Sequence, residues 1–405
     1  MLKDHDIVCL AGCEWDFTWQ PTQEVMLRLA QAGNRVLYVE PTGTRRIRLA
    51  DWRRVLARIW TKVAGVRHSD VLPSTMTIYA PLVIPLPHSR LSRLVNRWIV
   101  TRGVRRWLGR AIGSQDVLWA YFPSPLNADL FRTAGFGVRV YQVMSSAEAV
   151  RQHRGIMEAN TTMLRRSDVI FANSRRLMEQ AKRLNTQAHL FRAGVDLELF
   201  QQAEEINSTT PSDLNGVQGP LVGYIGALHQ WVDVDLLLRV AQAMPDCQFV
   251  LVGPLVCEIG ELRTLPNVHW LGQKSHNEIP RYVRQFDACV IPYRQDAYTE
   301  TSYPAKLNEY LALGKPVVAT PLPELVDYNR EYGEILYLAA DAPAFVSVLR
   351  QALTTTSLTM RERYRQAAQD NSWAAMVEKM AGLVEEILAG RLRSTEAARA
   401  GGVSE

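Results

Sequence analysis

Short apolar runs alternate with stretches of helical periodicity from one end of the chain to the other. The runs are rich in Val, Ile, Leu and Tyr, as in strands buried on both faces, and the stretches between them repeat apolar positions every three to four residues. The predicted strands are residues 7–11, 35–39, 116–121, 139–143, 168–172, 221–225, 247–252, 268–271, 288–291, 316–319 and 335–338. This alternation predicts an α/β fold with doubly wound parallel sheets.

Length and a change of composition near the middle of the chain predict two domains. At 405 residues the chain is too long for one ordinary core. Residues 201–219 are rich in Ser, Thr, Asn, Gln, Pro and Gly and lack an apolar period, which is typical of an exposed connector. We therefore expect Rossmann-like domains over 1–200 and 220–370, joined by that linker. A terminal helix over 371–390 is expected to return to the first domain, followed by a disordered tail over 391–405.

The most informative local pattern lies between residues 304 and 319. Pro304 suits the first position of a short helix, and Gly314 followed by a proline ends that helix before a buried strand. Lys306 and Glu309 are three residues apart, so they share one face near the helix N-terminus. An ammonium and free backbone donors suit a diphosphate, and a carboxylate suits two ribose hydroxyls. The pattern predicts a nucleotide site; the alternative is a surface helix with a Lys–Glu ion pair.

The loop after the predicted strand 221–225 is a second candidate for phosphate contact. Gly226 lets the backbone approach a phosphate closely, whereas an ordinary strand-to-helix turn is the alternative. Asp233 and Asp235 have the spacing of an acidic metal motif, but acids in the first turn of a helix are also favoured by its dipole. We therefore predict no metal and no cofactor.

Aromatic and polar residues alternate over residues 15–23, between the first predicted strand and the first helix. Such a loop suits a sugar or a lipid headgroup, and Asp16 is placed to take a proton from an acceptor hydroxyl. The alternative is that the aromatic rings pack together and that Asp16 caps the helix.

The positive charge of the chain is concentrated in one segment. The formal net charge is +5, but residues 45–110 contain 14 Arg and one Lys against two Asp. Apolar positions repeat with helical spacing over 49–63 and over 91–112, among these arginines. Basic amphipathic helices suit an anionic membrane surface, and core-facing helices with a solvated basic face are the alternative. No nucleic-acid reader motif accompanies the segment, so nucleic acid is not expected as a partner.

Cysteine usage and hydropathy indicate a cytoplasmic protein. The five cysteines are an odd set without a CxxC pair, which argues against a disulfide framework and a structural zinc site. No secretory leader pattern opens the sequence, and the most apolar run, residues 76–86, is short and interrupted by prolines. We expect neither a cleaved signal nor a membrane span.

Several common enzyme classes lose their main sequence support. The chain has no GxGxxG, GxxxxGK[ST], GxSxG or HExxH motif. Dehydrogenases, P-loop nucleotidases, serine hydrolases and zinc proteases are therefore not indicated.

Taken together, the motifs resemble the family-4-like glycosyltransferases with the GT-B fold, in the bacterial polysaccharide or teichuronic-acid-type branch. The resemblance covers nearly the whole chain. It rests on WDFTWQPTQ with RVLYVEP, LRRSDVIFANSRRL with FRAGVDLELF, VGYIGALHQWVDVDLL with FVLVGP, NVHWLGQKSHNEIPRYVRQFDACVIPY, and YPAKLNEYLALGKPVVAT.

The resemblance implies two Rossmann-like domains facing a cleft, with sugar transfer from a nucleotide donor held by the second domain. It places Glu309 at the family's ribose-binding glutamate, Gly226 beside the diphosphate and Lys306 on the diphosphate, with Tyr293 near the base or ribose. Pro304 begins the predicted helix that carries Lys306 and Glu309. We expect catalytic roles for Asp16 and Lys306.

The chain departs from the family pattern at three places. Thr301 stands where many members have a glutamate, with Glu300 one position away. Residues 227–229 are Ala, Leu and His where many members have an arginine and a lysine. A Ser-Ser pair at 145–146 replaces paired acids of related proteins, so the acceptor-side base is sought among Asp16, Glu148 and His153.

The sequence therefore predicts a hexosyltransferase that uses a nucleotide-sugar donor, with UDP as the expected nucleotide, and a saccharide or lipid-linked saccharide acceptor in cell-surface polysaccharide biosynthesis. We expect it in the cytoplasm, peripheral at the inner face of the cell membrane, with anionic lipid contact through residues 45–110. The alternatives are a nucleotide-sugar epimerase of the same fold and a non-catalytic membrane-associated scaffold of a polysaccharide machine.

Overall fold

The computed structural model describes residues 2–16, 19–41, 66–67, 72–84, 86, 89–148, 155–205, 210–355 and 357–401. The chain divides into two compact units. Unit 1 comprises residues 1–191 and 376–405, and unit 2 comprises residues 192–375. Each unit is built around one doubly wound sheet, so the predicted fold class is confirmed.

Unit 1 contains an 8-stranded sheet in the order β3-β4-β2-β1-β5-β6-β7-β8. Its strands are β1 Asp6–Leu10, β2 Arg35–Val39, β3 Val66–Arg67, β4 Met76–Tyr79, β5 Val117–Ala120, β6 Val138–Val143, β7 Val169–Ala172 and β8 Ala188–Leu190. Its first five helices are α1 Pro21–Gln31, α2 Arg90–Leu108, α3 Pro125–Thr133, α4 Ile156–Arg166 and α5 Arg175–Lys182. All strand pairs are parallel except the pairing of β3 with β4 at the sheet edge.

Unit 2 contains a 6-stranded parallel sheet in the order β11-β10-β9-β12-β13-β14. Its strands are β9 Leu221–Ile225, β10 Gln248–Val252, β11 Val268–Gly272, β12 Ala288–Ile291, β13 Val317–Ala319 and β14 Tyr337–Leu338. Its helices are α6 Leu197–Glu205, α7 Val234–Ala243, α8 Ile279–Gln285, α9 Lys306–Ala312, α10 Pro323–Glu331, α11 Ala342–Thr355 and α12 Leu358–Asp370, and α13 Trp373–Gly401 begins in this unit and continues in unit 1.

Both sheets reverse their strand order next to their first strand. In unit 2 the chain winds outwards from β9 through β10 to β11, then returns to β12 on the other side of β9. In unit 1 the corresponding neighbours are β1 and β5. Ligands of open α/β sheets bind beyond the carboxyl ends of the strands at such a reversal. The loops after β9 and β12, and those after β1 and β5, are therefore where functional side chains are expected.

Part of the predicted linker, residues 201–219, is helical in the structure. Helix α6 covers Leu197–Glu205, and unit 2 already starts at Arg192. Phe200 is fully buried, and Val195 pairs with Ser372 in an isolated parallel bridge. These contacts attach residues 192–200 to unit 2. Helix α13 extends through Gly401, so residues 391–401 are helical, although a disordered tail was predicted over 391–405.

Candidate active site

A lysine, a glycine and two tyrosines converge at the strand reversal of unit 2. Gly226 follows β9 directly with φ +119, a left-handed conformation that favours glycine. A Cβ atom at this position would lie 2.7 Å from Nζ of Lys306, so the lysine side chain occupies the space that only glycine leaves open. The Lys306 ammonium lies 3.8 Å from the ring centroid of Tyr224 and 5.2 Å from that of Tyr293.

A second glycine lets the backbone of the neighbouring strand come equally close. Gly253 follows β10 with φ +151, and a Cβ atom there would lie 2.1 Å from the Gly226 carbonyl oxygen. The Gly226 N–H donates to the Val252 carbonyl oxygen at 2.8 Å, and the Gly253 N–H donates to the Gly272 carbonyl oxygen at 2.8 Å. The backbones at the ends of β9 and β10 therefore pack closely beside the Lys306 ammonium, which is a charged donor that a phosphate could reach at this point.

Helix α9 is held against β9 by buried polar side chains. The Tyr310 hydroxyl accepts a hydrogen bond from the Ile225 N–H at 2.8 Å, one residue before Gly226. Asn308 is fully buried, donates to the Ala193 carbonyl oxygen at 2.7 Å and accepts from the Tyr328 hydroxyl at 3.1 Å. Because both groups belong to the same seven-residue helix as Lys306 and Glu309, they fix the direction of that helix.

The ammonium is perturbed by its surroundings. Burial lowers the pKa of Lys306 to about 7, although the nearby Glu309 carboxylate opposes the shift. Burial also raises the pKa of Glu309, against the attraction of His276 and Lys306. Within the part of the chain that the structure describes, no carboxylate comes within 4.0 Å of the Lys306 ammonium. The alternative of a surface Lys–Glu ion pair is therefore wrong, and a half-buried cation without a close counter-ion is a candidate functional group.

Pro304 lies slightly outside the position expected for it. The helix starts at Lys306 with Ala305 as its N-cap, so Pro304 is not the first helical residue; its carbonyl oxygen instead accepts from the Leu307 N–H at 3.0 Å. The predicted stop is observed, since Gly314 adopts φ +64 and its N–H donates to the Leu311 carbonyl oxygen.

Three aromatic rings line the loop after β9. His229 stacks on Trp231 with ring centroids 3.5 Å apart, and Trp231 stacks on Tyr298 at 5.0 Å. The Arg294 N–H donates to the Trp231 carbonyl oxygen at 2.8 Å, and Val232 bridges to Tyr293, so this loop is attached to the segment after β12. His229 was noted from the sequence only as a departure from a family pattern, and the stack was not predicted, because Tyr298 is far in sequence from His229 and Trp231.

The acid pair at 233 and 235 has a structural role. The Asp233 side chain accepts from the Leu236 N–H at 3.0 Å and caps α7, and Asp235 lies in the first turn of that helix. Among the described residues, no group of three or more His, Cys, Asp and Glu side chains has a metal-binding arrangement.

Asp16 lies in unit 1, in the turn after β1, and is exposed. It does not cap α1, whose N-cap is Gln20, so that alternative is wrong. The packing alternative is observed for the rings: Trp15 contacts Trp19 and Tyr38 edge-to-face at 5.7 and 5.1 Å. Of the other acceptor-side candidates, Glu148 is exposed and His153 lies outside the described residues.

Glu40 is an acidic residue that sequence reasoning did not select. It follows β2 in the sequence YVEP, is 6% exposed, and accepts a hydrogen bond from the Trp15 N–H at 3.3 Å. With Gly12, Ser124 and Asn127 it lines a depression at the carboxyl ends of β1, β2 and β5. A glutamate directly after a predicted strand was the available signal in the sequence.

Comparisons with known proteins give the family. The family model for glycosyl transferases group 1 matches residues 219–355. TuaH of Bacillus subtilis (strain 168), a protein assigned the role of teichuronic acid biosynthesis glycosyltransferase, is 30% identical over 288 residues, 67% of this chain and 72% of that protein.

Solved structures agree in fold. Sucrose-phosphate synthase from Thermosynechococcus elongatus superposes with a TM-score of 0.69 at 16% identity, covering 95% of this chain and 100% of that one. HepE of Anabaena in complex with UDP superposes with a TM-score of 0.65 at 14% identity, covering 95% and 100%. The chain belongs to the group 1 glycosyltransferases and is an enzyme of that family with the GT-B fold.

Proposed function

We propose that this enzyme transfers a hexosyl group from a UDP-linked donor to a saccharide or lipid-linked saccharide in cell-surface polysaccharide biosynthesis. The observation that carries the proposal is the Lys306 ammonium held against Gly226 at the strand reversal of unit 2, with Glu309 on the same helix face. The UDP bound to HepE supports UDP as the nucleotide of the donor. The role assigned to TuaH supports a cell-surface polysaccharide as the product.

The donor diphosphate would lie beside Gly226, next to the Lys306 ammonium. Glu309 would accept hydrogen bonds from the ribose hydroxyls, and Tyr293 would contact the ribose or base. Cleavage of the glycosidic bond leaves negative charge on the diphosphate, which Lys306 would stabilise. A bound diphosphate raises the pKa of an adjacent ammonium, so Lys306 would be protonated in the complex. Because Lys306 supplies the positive charge, we expect activity to survive EDTA treatment.

Asp16 is the proposed acceptor-side base. It is exposed and therefore accessible to a sugar hydroxyl, and it follows the strand at which the sheet of unit 1 reverses its order. Asp16→Asn is expected to lower turnover while leaving UDP affinity unchanged, which steady-state kinetics and calorimetry would measure. Wild-type turnover in that variant would remove Asp16 from the mechanism.

We also propose that the reaction takes place at the inner face of the cell membrane. The basic balance of residues 45–110 supports attraction to anionic lipid. The first predicted amphipathic stretch, 49–63, lies outside the described residues, whereas the second is helix α2. No helix among the described residues is long and apolar enough to cross a membrane.

The direct test is a screen of nucleotide sugars with the purified enzyme, with and without saccharide acceptors, followed by mass spectrometry. The proposal predicts acceptor-dependent release of UDP and a glycosylated product. An epimerase would interconvert donors without any acceptor. A protein that binds and consumes no nucleotide sugar would refute the proposal.

A further inference from the structure

Helix α2 of unit 1 presents its largest apolar side chains to solvent. Leu91, Leu94 and Trp98 are 72%, 53% and 62% exposed and follow one another at intervals of three and four residues, so they form one stripe. The opposite face carries Ser92 and Asn96, which are buried. The amino-terminal half of this helix thus reverses the usual arrangement of polar and apolar side chains.

The segment before α2 extends this apolar surface. Leu82, Ile84 and Leu86 are 54%, 37% and 60% exposed. Asn96 attaches the segment to the helix: its Oδ1 accepts from the Ile84 N–H at 2.7 Å, and its Nδ2 donates to the Ile84 carbonyl oxygen at 2.9 Å. The buried asparagine therefore holds the exposed leucines beside those of α2. We call Leu82, Ile84, Leu86, Leu91, Leu94 and Trp98 the apolar ridge.

The helix itself is firmly fixed to unit 1. A Cβ atom at Gly103 would lie 2.5 Å from the Tyr79 ring of β4, so helix and sheet are in close contact there. Trp107 Nε1 donates to the Thr77 hydroxyl at 3.2 Å, and Arg93 forms a bidentate pair with Asp129 at 2.6 and 2.9 Å. The outward direction of the apolar ridge is consequently set by the fold.

All charged residues of the segment that carries the apolar ridge are basic, and the nearby Asp129 of α3 is paired with Arg93. The sequence has no Asp or Glu between Asp70 and Asp116. Arg102 and Arg105 continue the stripe of Trp98 along α2, both are exposed, and the Arg102 guanidinium lies 5.6 Å from the centroid of the Trp98 ring. An apolar surface with a tryptophan and a border of arginines has the composition of a helix that lies in the headgroup region of an anionic bilayer.

We propose that the apolar ridge inserts into the headgroup boundary of an anionic membrane, with Arg102 and Arg105 of α2 on lipid phosphates. The inference rests on the proposed membrane location and adds to it that apolar insertion, not charge alone, holds the protein there. A second copy of this chain is a poorer occupant, because a two-fold contact would bring two sets of arginines together without a carboxylate in residues 71–115.

The experiment is vesicle flotation of the full chain with phosphatidylcholine alone and with added phosphatidylglycerol, at low and high salt. The variant Leu91→Ser/Leu94→Ser/Trp98→Ser is compared with Val256→Ser/Leu358→Ser, which changes exposed apolar residues of unit 2. We expect the first variant to lower partitioning at least about tenfold at both salt concentrations. The second should leave it unchanged. Arg102→Gln should lower it about fivefold at low salt only.

Each other outcome contradicts the inference in a distinct way. If the triple variant keeps salt-sensitive binding, the proposed membrane location would stand but insertion of the apolar ridge would be refuted. If the wild type does not bind anionic vesicles, both the membrane location and the insertion would be refuted. A wild type that elutes as a dimer, with the triple variant monomeric and neither binding vesicles, would assign the surface to a second copy. A large fall in melting temperature would show that another part of this chain covers the ridge. Donor consumption in solution should be equal in all variants, which separates this inference from the proposed transferase activity.

Discussion

Helices α2 and α9 both break the rule that polar residues face water, but they break it in opposite directions. Helix α9 directs Lys306 and Glu309 into protein surroundings that perturb the pKa of each. Helix α2 directs Leu94 and Trp98 into solvent. The first arrangement costs the free energy of desolvating charge, and the second leaves apolar area in contact with water.

The difference shows how each helix depends on its neighbours. The lysine of α9 has its position only because Gly226 lacks a side chain, Tyr224 lies beneath it and Tyr310 is bonded to β9. The exposed residues of α2 need only a helix whose other face is fixed. We therefore expect substitutions around α9 to affect catalysis strongly, and substitutions on the outer face of α2 to leave stability and catalysis nearly unchanged.

The largest effect is expected from Lys306→Ala. Turnover should fall about 100-fold or more, because one donor to the developing charge of the leaving diphosphate is worth roughly 3 kcal/mol. Lys379→Ala, an exposed lysine of α13, is the control. Steady-state kinetics measures the effect. Wild-type rates in Lys306→Ala would contradict the expectation that α9, unlike the outer face of α2, affects catalysis.

The same substitution should not destabilise the protein. Lys306 has a folded-state pKa of about 7, below its unfolded value, so the unfolded chain binds more protons between these two pKa values and wild-type stability rises with pH across that window. Removal of the lysine should flatten this dependence and keep or raise the melting temperature at neutral pH. Thermal unfolding at several pH values measures it.

Gly226→Ala should have the next largest effect. The new Cβ atom would displace the Lys306 ammonium, and the alanine would have to adopt an unfavourable positive φ. Each of these effects costs at least about 1 kcal/mol, so kcat/KM should fall about tenfold or more. Gly260→Ala is a matched control, because Gly260 also has a positive φ but open space around it. Equal kinetics for the two variants would contradict the close approach of Lys306 to Gly226.

A smaller effect is expected from pH. Only the protonated ammonium attracts the diphosphate, so UDP affinity should fall above about pH 7, at most about tenfold per pH unit. His276, Glu309 and the tyrosine hydroxyls around the site are the other titratable groups. Lys306→Arg should give a flat profile, because arginine keeps its proton. A wild-type affinity that rises with pH would contradict the assignment.

The smallest effect is expected on the outer face of α2. Leu94→Ser should change the free energy of unfolding by at most about 0.5 kcal/mol, whereas Val104→Ser, on the buried face of the same helix, should cost about 2 kcal/mol or more. Denaturant titration measures both. Equal losses would mean that Leu94 is packed in the folded protein.

The sequence predicted most of the parallel sheets, because long buried strands give continuous apolar runs. It missed β3, β4 and β8, which have two, four and three residues and are too short for a periodicity to emerge. The prolines after Tyr79 also made the segment from residue 76 to 86 look irregular, although its first four residues form β4.

The candidate site was predicted only in part, for a physical reason. Spacing along the chain places Lys306 and Glu309 on one face of α9, but nothing local indicates that Tyr224 lies beneath the ammonium. That contact depends on how helix and sheet pack. For α2 the periodicity gave a stripe containing Leu94 and Trp98 but could not show which face is buried. The buried side chain of Asn96 shows that the face opposite Leu94 and Trp98 is the one packed inside the protein.

The central claim is that the Lys306–Glu309 face of α9 holds the donor nucleotide, and isothermal titration calorimetry with UDP and with pyrophosphate tests it most directly. We predict that Glu309→Gln weakens UDP binding about tenfold, through loss of charge-assisted hydrogen bonds to ribose, and does not weaken pyrophosphate binding. Lys306→Ala should weaken both. Unchanged UDP affinity in both variants would contradict the account.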